Sequence, residues 1–242
     1  MNNAAPKIAL ITGAARRIGR AVALDLAACG WRIGLHYRSS LTEAEGVKRS
    51  IEALGGAATL LQADLSDIDA VRALPLQCAD AFGAPALLVN NASLFAHDAF
   101  ATMTPELWDA HLACNLKAPI FLSQAFAAVA PQGASIVHII DQRVLRPDAD
   151  FFSYTLSKAA LFAATRMMAQ ALAPRLRVNA VGPGPVLQSI HQTPEEFAAE
   201  AAAAPLARAV DPAEIAAAVR FLVESPSITG QMIAVDAGQH VT

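Results

Sequence analysis

The feature that most constrains the fold of this chain is a regular alternation of short apolar runs with longer segments of helical period. The short runs have the length and β-rich composition of buried strands, and the longer segments have the apolar spacing of helices. Such an alternation is typical of repeated βαβ units on a parallel sheet. The pattern predicts seven strands, over residues 7–12, 32–37, 58–62, 86–89, 135–140, 177–180 and 232–235.

Helices are predicted in the intervals between these strands. Thr104 before Pro105, and Asp211 before Pro212, each place a capping side chain directly ahead of a proline, a pattern that starts a helix. An alanine-rich stretch is expected to be a short helix because alanine has the highest helix propensity. The predicted helices cover residues 17–29, 42–54, 67–82, 105–130, 153–173 and 212–223, and the alanine-rich helix covers 198–204.

Length, composition and charge indicate one domain, residues 1–242, that binds small molecules. At 242 residues and 55% hydrophobic content, the chain can bury one large core. Only 16% of its residues are charged and the formal net charge is -3, so no basic field is available for nucleic acid or anionic lipid. A small-molecule substrate is therefore the expected partner.

Cysteine usage and the N-terminal residues bear on the compartment. Cys29, Cys78 and Cys114 are an odd number without metal-ligand spacing, which argues against disulfides and a metal site and for a reducing compartment. The N-terminal residues lack a signal-peptide layout, and the sequence shows no uninterrupted apolar stretch of membrane-spanning length. The expectation is a cytoplasmic protein without a membrane partner.

The first predicted strand runs directly into a glycine-containing turn that opens the first helix. Gly13 permits close backbone approach, and Gly19 lets helix and strand pack closely. The helix N-terminus offers free N–H groups and a positive dipole end, which suit a pyrophosphate. The turn predicts a dinucleotide cradle, with an ordinary strand-to-helix turn as the alternative; its residues are Gly13, Ala14, Ala15, Arg16, Arg17, Ile18 and Gly19.

The end of the second predicted strand bears on which dinucleotide binds. Arg17 stands where the usual pattern has its middle glycine, and no carboxylate occurs between this strand and Glu43. A ribose 2′-hydroxyl is bound by an acidic side chain, whereas a 2′-phosphate needs cations and hydroxyl donors. This segment therefore favours NADPH over NADH, with a solvated loop that binds no cofactor as the alternative. The residues concerned are Arg17, His36, Tyr37, Arg38, Ser39 and Ser40.

Two further segments lie where the same dinucleotide would pass. Asp64 and Leu65 follow the third strand, where a carboxylate can accept the adenine amino group; capping of the helix that begins near Asp67 is an equal alternative. Asn91, Ala92 and Ser93 follow the fourth strand, where asparagine supplies turn geometry and hydrogen bonds. The sequence leaves both functions of each segment open.

Tyr154 and Lys158 are four residues apart at the start of a predicted helix, so their side chains project from one face. A free tyrosine has a pKa of about 10, and a neighbouring cation lowers it by stabilising the phenolate. The spacing therefore predicts a tyrosine activated for proton exchange. By itself this pair is a frequent coincidence.

Taken together, these motifs resemble the short-chain dehydrogenase/reductase family over nearly the whole chain. Their order and spacing match through the Pro183-Gly184 turn and the closing segment 229–238. The resemblance implies a doubly wound Rossmann fold of the α/β class, with a seven-stranded parallel sheet in the order 3-2-1-4-5-6-7. It also implies that Tyr154 donates a proton, Lys158 binds the nicotinamide ribose, Asn115 holds a water relay, and Pro183-Gly184 borders the nicotinamide.

One departure from the family pattern narrows the resemblance. Most members carry serine thirteen positions before the tyrosine, where this chain has Asp141. A carboxylate can bind an amidine-like N–H edge, which suits a pterin better than a simple ketone. With Arg17, the His36-Tyr37 pair and Phe95, the chain is similar to pteridine and dihydromonapterin reductases. That resemblance implies a pterin stacked on Phe95; the substrate-binding residues would be Arg17, Ser93, Phe95, Asp141 and Tyr154.

The expected reaction is NADPH-dependent reduction of a 7,8-dihydropterin, of the dihydromonapterin, dihydrobiopterin or dihydrofolate type, to its tetrahydro form. An ionised Asp141 cannot donate a proton, so direct donation requires a raised pKa or a water. Leu187 replaces a hydroxyl-bearing residue of many relatives, which leaves the substrate open. Reduction of a 3-oxoacyl thioester or small ketone, and a catalytically lapsed NADPH-binding module, are the alternatives. The segment 187–206 is expected to cover the substrate, and a homotetramer is expected by family resemblance.

Overall fold

The computed structural model describes residues 7–242; residues 1–6, part of the stretch in which no signal peptide is predicted, lie outside it. The strands are β1 (Ile8–Ile11), β2 (Arg32–Tyr37), β3 (Ala58–Gln62), β4 (Leu87–Asn90), β5 (Ser135–Ile139), β6 (Arg177–Pro183) and β7 (Met232–Val235). They form one parallel sheet in the order β3-β2-β1-β4-β5-β6-β7. The predicted fold class and strand order are confirmed.

Helices cover both faces of this sheet, as a doubly wound fold requires. On one face α1, α2 and α8 pack against the strands, and on the other face α3, α5 and α6 do so. The described helices are α1 (Arg17–Ala28), α2 (Leu41–Ala53), α3 (Ile68–Phe82), α4 (Pro105–Leu112), α5 (Ala118–Val129), α6 (Phe152–Leu172), α7 (Pro194–Ala203) and α8 (Pro212–Glu224).

Two of the predicted helix starts are confirmed by their caps. The Thr104 hydroxyl accepts a hydrogen bond from the Leu107 backbone N–H, and the Asp211 carboxylate accepts one from Ala213. A third cap explains why α7 begins at Pro194, earlier than the predicted 198–204. There Thr193 and Glu196 form a reciprocal capping box, which satisfies two backbone N–H groups at the helix start.

The prediction of one continuous helix over 105–130 is wrong. A π-helical turn, Ala113–Lys117, separates α4 from α5. Pro119, in the first turn of α5, has no N–H to donate to the carbonyl of Asn115, so the regular α-helical ladder is interrupted. The interruption lies where the fully buried Asn115 faces the loop that follows β4.

The prediction that the sixth strand ends at residue 180 is also wrong. β6 continues to Pro183 because Gly182 and Pro183 lie in register with Ala234 and Val235 of β7. This extension carries the chain to the carboxyl edge of the sheet, where the predicted Pro183-Gly184 turn begins.

The expectation of no apolar stretch of membrane-spanning length needs a qualification. By length and composition alone, the helical run Pro105–Val129 is long and apolar enough to cross a membrane. Within the fold, α5 packs on α3 and α6. The run also buries His111, Asn115 and Ser123, polar side chains that suit a protein interior with hydrogen-bond partners rather than lipid.

Candidate active site

A cavity of about 1210 Å³ lies across the carboxyl ends of β1, β2, β4, β5 and β6. Pockets for a single drug-sized ligand measure roughly 300 to 1000 Å³, so this cavity has room for a dinucleotide with a second ligand. Apart from Ala14 of the turn, which is buried, all of the predicted cofactor-binding and substrate-binding residues line it, from Gly13 in the first turn to Gly184 after β6. Of the predicted catalytic residues, Asp141, Tyr154 and Lys158 line it and Asn115 does not.

The turn after β1 is held by contacts from neighbouring strand ends. The Gly13 N–H donates to His36 Nδ1 at 3.1 Å, and the Asn91 amide donates to the Thr12 and Gly13 carbonyls at 2.8 and 3.1 Å. Because Nδ1 of His36 accepts, its Nε2 carries the hydrogen donated to the Ala63 carbonyl, 3.1 Å away. Burial lowers the pKa of His36 to about 4, so this histidine is a neutral support of the turn.

Backbone conformation explains two of the residue choices in the turn. Gly13 has a φ of +63°, and Arg17, at the position of the usual middle glycine, has a φ of +51°, a left-handed conformation that glycine adopts without strain. A Cβ added to Gly19 would lie 2.2 Å from the Gly13 carbonyl oxygen, so only glycine fits there. The turn thus requires glycine at both ends and tolerates a strained arginine between them.

The N-terminus of α1 is suited to bind an anion. Its N-cap residue, Arg16, is extended, no side chain within residues 7–242 caps the helix, and its first turn carries no acidic residue. Backbone N–H groups at this end therefore face the cavity with the positive end of the helix dipole. Arg16 forms an ion pair with Glu43 at the start of α2, a contact that the sequence does not predict.

Asp64 does not cap the following helix. Asp67 performs that function, accepting hydrogen bonds from the Asp69 and Ala70 N–H groups. Asp64 instead accepts from the backbone and hydroxyl of Ser66, bonds that hold the pKa of its carboxyl below the usual value. The capping alternative for Asp64 is therefore wrong, and its predicted adenine contact stays a prediction.

The central geometric feature is a hydrogen bond between side chains from two elements. The Tyr154 hydroxyl, in the first turn of α6, donates to Asp141 Oδ2 at the end of β5, at 2.8 Å. The other oxygen, Oδ1, accepts from the Arg143 backbone N–H at 2.9 Å. The 310 turn Gln142–Val144 thus fixes Asp141 toward the phenol.

The protonation of this pair is set by burial and by mutual repulsion. Asp141 lines the cavity but is otherwise enclosed by protein, and this burial raises the pKa of its carboxyl. Burial and the adjacent Asp141 charge raise the pKa of Tyr154 well above its usual value. The prediction of a lowered tyrosine pKa is therefore wrong here, because the spacing of Tyr154 and Lys158 contains no information about a carboxylate from another strand.

Lys158 lies beside the same pair, and no side chain within residues 7–242 forms a salt bridge with it. Its ammonium donates to the Ile139 carbonyl at 2.9 Å and lies 5.7 Å from the centre of the Tyr154 ring. Burial lowers the pKa of Lys158 to about 8, while Asp141 acts in the opposite direction. A buried ammonium at this position can stabilise negative charge on the pair.

Asn115 is placed behind the cavity wall. Its oxygen accepts from the Leu94 N–H at 2.8 Å and from the Ser93 hydroxyl, and its nitrogen donates to the Ser157 hydroxyl at 3.1 Å. These bonds connect the π-helical turn to the loop after β4 and to α6. The predicted water relay through Asn115 stays a prediction.

Aromatic side chains beside Tyr154 form a wall of the cavity. The ring of Phe95 stacks on Phe151, with centroids 4.3 Å apart and planes within 8°, and meets the Tyr154 ring edge-on at 4.8 Å. His191, in the segment predicted to cover the substrate, lies with Nε2 3.2 Å from the Phe95 carbonyl. The same segment is tied to the cradle, because Arg17 donates to the Leu187 and Gln188 carbonyls, each at 2.8 Å.

Arg143 and Phe151 are among the lining residues that sequence reasoning misses, and His191 falls in the predicted covering segment 187–206 without being singled out. The first two lie close to predicted site residues, Arg143 two after Asp141 and Phe151 three before Tyr154, and this proximity is the signal that could have found them. His191 reaches the cavity through tertiary contacts alone. No group of three or more His, Cys, Asp or Glu side chains within residues 7–242 is arranged to hold a metal ion.

The geometry can be compared with known proteins. The family model described as "Enoyl-(Acyl carrier protein) reductase" matches residues 13–240. This chain belongs to the short-chain dehydrogenase/reductase family. Among curated relatives of this reductase, a 3-oxoacyl-[acyl-carrier-protein] reductase from Synechocystis sp. is 34% identical, and the match covers 96% of each chain.

Solved structures of similar reductases include FolM alternative dihydrofolate reductase 1 from Brucella suis in complex with NADP. It is 47% identical to this chain, with a TM-score of 0.94, and the match covers 100% of this chain and 97% of that one. A short-chain dehydrogenase/reductase from Serratia marcescens is 30% identical, with a TM-score of 0.93, and the match covers 97% of this chain and 98% of that one.

Proposed function

We propose that this short-chain reductase uses NADPH to reduce a 7,8-dihydropterin to its tetrahydro form. The observation that carries the proposal is the Asp141–Tyr154 hydrogen bond beside the dinucleotide cradle. A carboxylate there offers an acceptor for the amino and ring N–H groups of a pterin and a site for the proton that the reaction consumes. The serine of most family members offers only a hydroxyl.

The residues of the cradle fit NADPH. The uncapped N-terminus of α1 would hold the pyrophosphate, and Arg38 with Ser39 and Ser40 after β2 would hold the 2′-phosphate. The Brucella suis structure named above contains NADP, which supports this assignment. Bound NADPH would supply the hydride, and the protein would position it.

Phe95 and Asp141 are the residues proposed to orient the pterin. The flat ring system would pack against the Phe95 side of the cavity, since aromatic rings favour offset stacking. Asp141 would accept hydrogen bonds from the N–H edge of the ring, and Arg17 and Ser93, which line the same cavity, would also contact it. The name of the Brucella suis protein, an alternative dihydrofolate reductase, supports a substrate of this chemical class.

The proton that accompanies the hydride would come from the Asp141–Tyr154 pair as a unit. Burial raises the pKa of Asp141, so its carboxyl stays protonated to a higher pH than a free carboxyl does. Tyr154 would pass its hydroxyl proton to the ring nitrogen and take the proton of Asp141 Oδ2 in the same step. The pair would then be left as an ionised Asp141 accepting from the Tyr154 hydroxyl, with the Lys158 ammonium stabilising the charge.

Carbonyl reduction is the second candidate, favoured by the likeness to the Synechocystis 3-oxoacyl-[acyl-carrier-protein] reductase. Tyr154 and Lys158 would serve that reaction as well. A carboxylate at position 141 opposes it, because an ionised Asp141 repels the oxyanion that forms as a ketone is reduced.

Steady-state NADPH oxidation with dihydromonapterin, dihydrobiopterin, dihydrofolate, a 3-oxoacyl thioester and small ketones separates the two candidates. We expect kcat/KM for the best dihydropterin to exceed that for the best carbonyl substrate by about 100-fold or more. Asp141→Asn should lose about 100-fold or more in kcat with the dihydropterin because the amide cannot hold the acidic proton. A preference for the thioester, or full activity of Asp141→Asn, would refute the proposal.

We also propose that the reductase is a cytoplasmic homotetramer. Leu156 and Met167 on α6 are exposed apolar side chains. Burial of such side chains between copies would remove apolar area from water. Light scattering on the purified protein should give four times the 25.3 kDa chain mass; a monomer would contradict this.

A further inference from the structure

Arg143 occupies a position in the site that the proposed reaction does not yet use. It follows Asp141 by two residues, and its side chain lines the cavity. Its backbone N–H donates to Asp141 Oδ1 at 2.9 Å, so the same residue that brings a cation into the site also orients the carboxylate.

Two groups hold the Arg143 side chain in place. Its guanidinium forms an ion pair with Asp148 at 2.6 Å, and it lies over the ring of Phe151, 5.1 Å from the ring centre. The Arg143 side chain is 20% exposed, so the cation is largely withdrawn from water. A cation held over an aromatic face and by a carboxylate has few alternative positions.

The ring that holds Arg143 is itself part of the aromatic wall. Phe151 stacks on Phe95, which meets the Tyr154 ring edge-on. Phe151 has a φ of +53°, a strained conformation for a phenylalanine, immediately before α6 begins. Arg143 therefore contacts both sides of the proton-transfer pair, Asp141 through its backbone and the aromatic wall beside Tyr154 through Phe151.

We propose that Arg143 is a positioning residue whose fixed cation sets how readily the Asp141–Tyr154 pair gives up its proton. The catalytic part of this inference rests on the proposed function. The effect of the Arg143 charge on the pair can be measured without any substrate. Lysine and arginine differ in geometry and share a charge, so the effect of charge can be separated from that of packing.

The sign of the effect follows from electrostatics. The positive charge of Arg143 lowers the pKa of both Asp141 and Tyr154, opposing the increase that burial causes. Without that charge the pair would hold its proton more tightly and donate it less readily. Within the described residues, the other titratable or charged groups around the pair lie on several elements. They are Lys158 on α6, His111 on α4, Cys114 in the π-helical turn, Asp148 after the 310 turn, Asp98 against the start of α6, and His97 and His191 near the aromatic wall.

The chain contains only two tyrosines, Tyr37 and Tyr154, which makes a direct measurement possible. Protein labelled with 13C at the tyrosine ζ carbon gives two resonances, assigned with Tyr37→Phe. The Tyr154 resonance reports protonation of its acceptor Asp141 as pH is lowered, and the Tyr37 resonance reports that the fold is retained. The measurement is made on Arg143→Gln, on Arg143→Lys and on the unmodified chain, without substrate.

We expect the midpoint of the Tyr154 transition to rise by about half a pH unit or more in Arg143→Gln and to stay within about 0.2 in Arg143→Lys. The pH dependence of kcat/KM, measured with whichever substrate the enzyme reduces, should shift in the same direction. An unchanged midpoint in Arg143→Gln, or equal shifts in both variants, would overturn the proposal. If the enzyme does not reduce a dihydropterin, the proposed function fails, but the titration is made without substrate and still decides this inference.

Discussion

The two halves of the cavity are built in different ways. The cradle half is formed mainly by backbone groups of one tight turn and by cations such as Arg16, which is largely exposed. The proton-transfer half is formed by buried side chains from distant parts of the chain, and Tyr154 is only 5% exposed. Charges are screened in the first half and interact strongly in the second. Substitutions should therefore tune affinity and cofactor choice in the cradle half, and abolish chemistry in the other.

The largest effect is expected in the proton-transfer half. Tyr154→Phe removes the hydroxyl that passes the proton while retaining the ring that packs against Phe95. We expect kcat to fall by about 10² to 10⁴, the range typical of a lost general acid, with NADPH affinity unchanged by fluorescence titration. A fall of less than tenfold would place the proton donor elsewhere. An unchanged melting temperature and unchanged NADPH affinity of the variant serve as the controls for the fold.

In the cradle half, the strongest effect should come from geometry rather than charge. The Cβ of Gly19→Ala would meet the Gly13 carbonyl oxygen and the Asn91 amide, at 2.2 and 2.5 Å, so the turn must move. We expect about a tenfold or greater loss of NADPH affinity and a lower melting temperature. Gly46→Ala is the matched control, since the open space there should make alanine stabilising by about 0.5 to 1 kcal/mol. Equal behaviour of the two variants would contradict the close packing of the turn.

Cofactor choice should depend on charge at the end of β2. Arg38→Asp replaces a cation at the proposed 2′-phosphate site with an acceptor for a ribose hydroxyl. We expect the NADPH preference, measured as a ratio of kcat/KM values, to fall by about tenfold or more. Arg49→Asp introduces the same charge change on the exposed face of α2 and should leave the ratio unchanged. An unaltered ratio in Arg38→Asp would show that residue 38 does not bind the 2′-phosphate.

The smallest effect is expected on stability, where burial of Asp141 in the proton-transfer half should destabilise the folded protein. The raised pKa of Asp141 means that its ionised form is disfavoured in the folded protein. Protonation of Asp141 therefore favours the folded state. This contribution to stability is complete below the pKa of the unfolded chain and is lost as pH rises through the pKa of the folded protein. Asp141→Asn should therefore raise the melting temperature at pH 8 by about 2 °C or more relative to the unmodified chain, and by less at pH 4. A lower melting temperature at pH 8 would contradict the burial penalty.

The same division explains what could be predicted from sequence. The strands and the cradle depend on periodicity and on glycines close together in the chain, so local patterns predict them, whereas the confirmed sheet order follows from the family resemblance. The meeting of Asp141 with Tyr154 came from family resemblance, since no spacing rule joins β5 to α6. The pKa direction of Tyr154 was wrong because helix spacing shows Lys158 but not the charge facing it. His191 reaches the cavity through tertiary contacts that no local pattern encodes.

The central claim, hydride transfer to a dihydropterin beside the Asp141–Tyr154 pair, is tested most directly by following an isotope. NADPH deuterated at C4 of the nicotinamide, on each face in turn, is incubated with the enzyme and a 7,8-dihydropterin, and the product is analysed by mass spectrometry. The account predicts a tetrahydropterin that carries one deuterium from one face only, and little product with Tyr154→Phe. Transfer of the label to a 3-oxoacyl thioester, with none to the pterin, would contradict it.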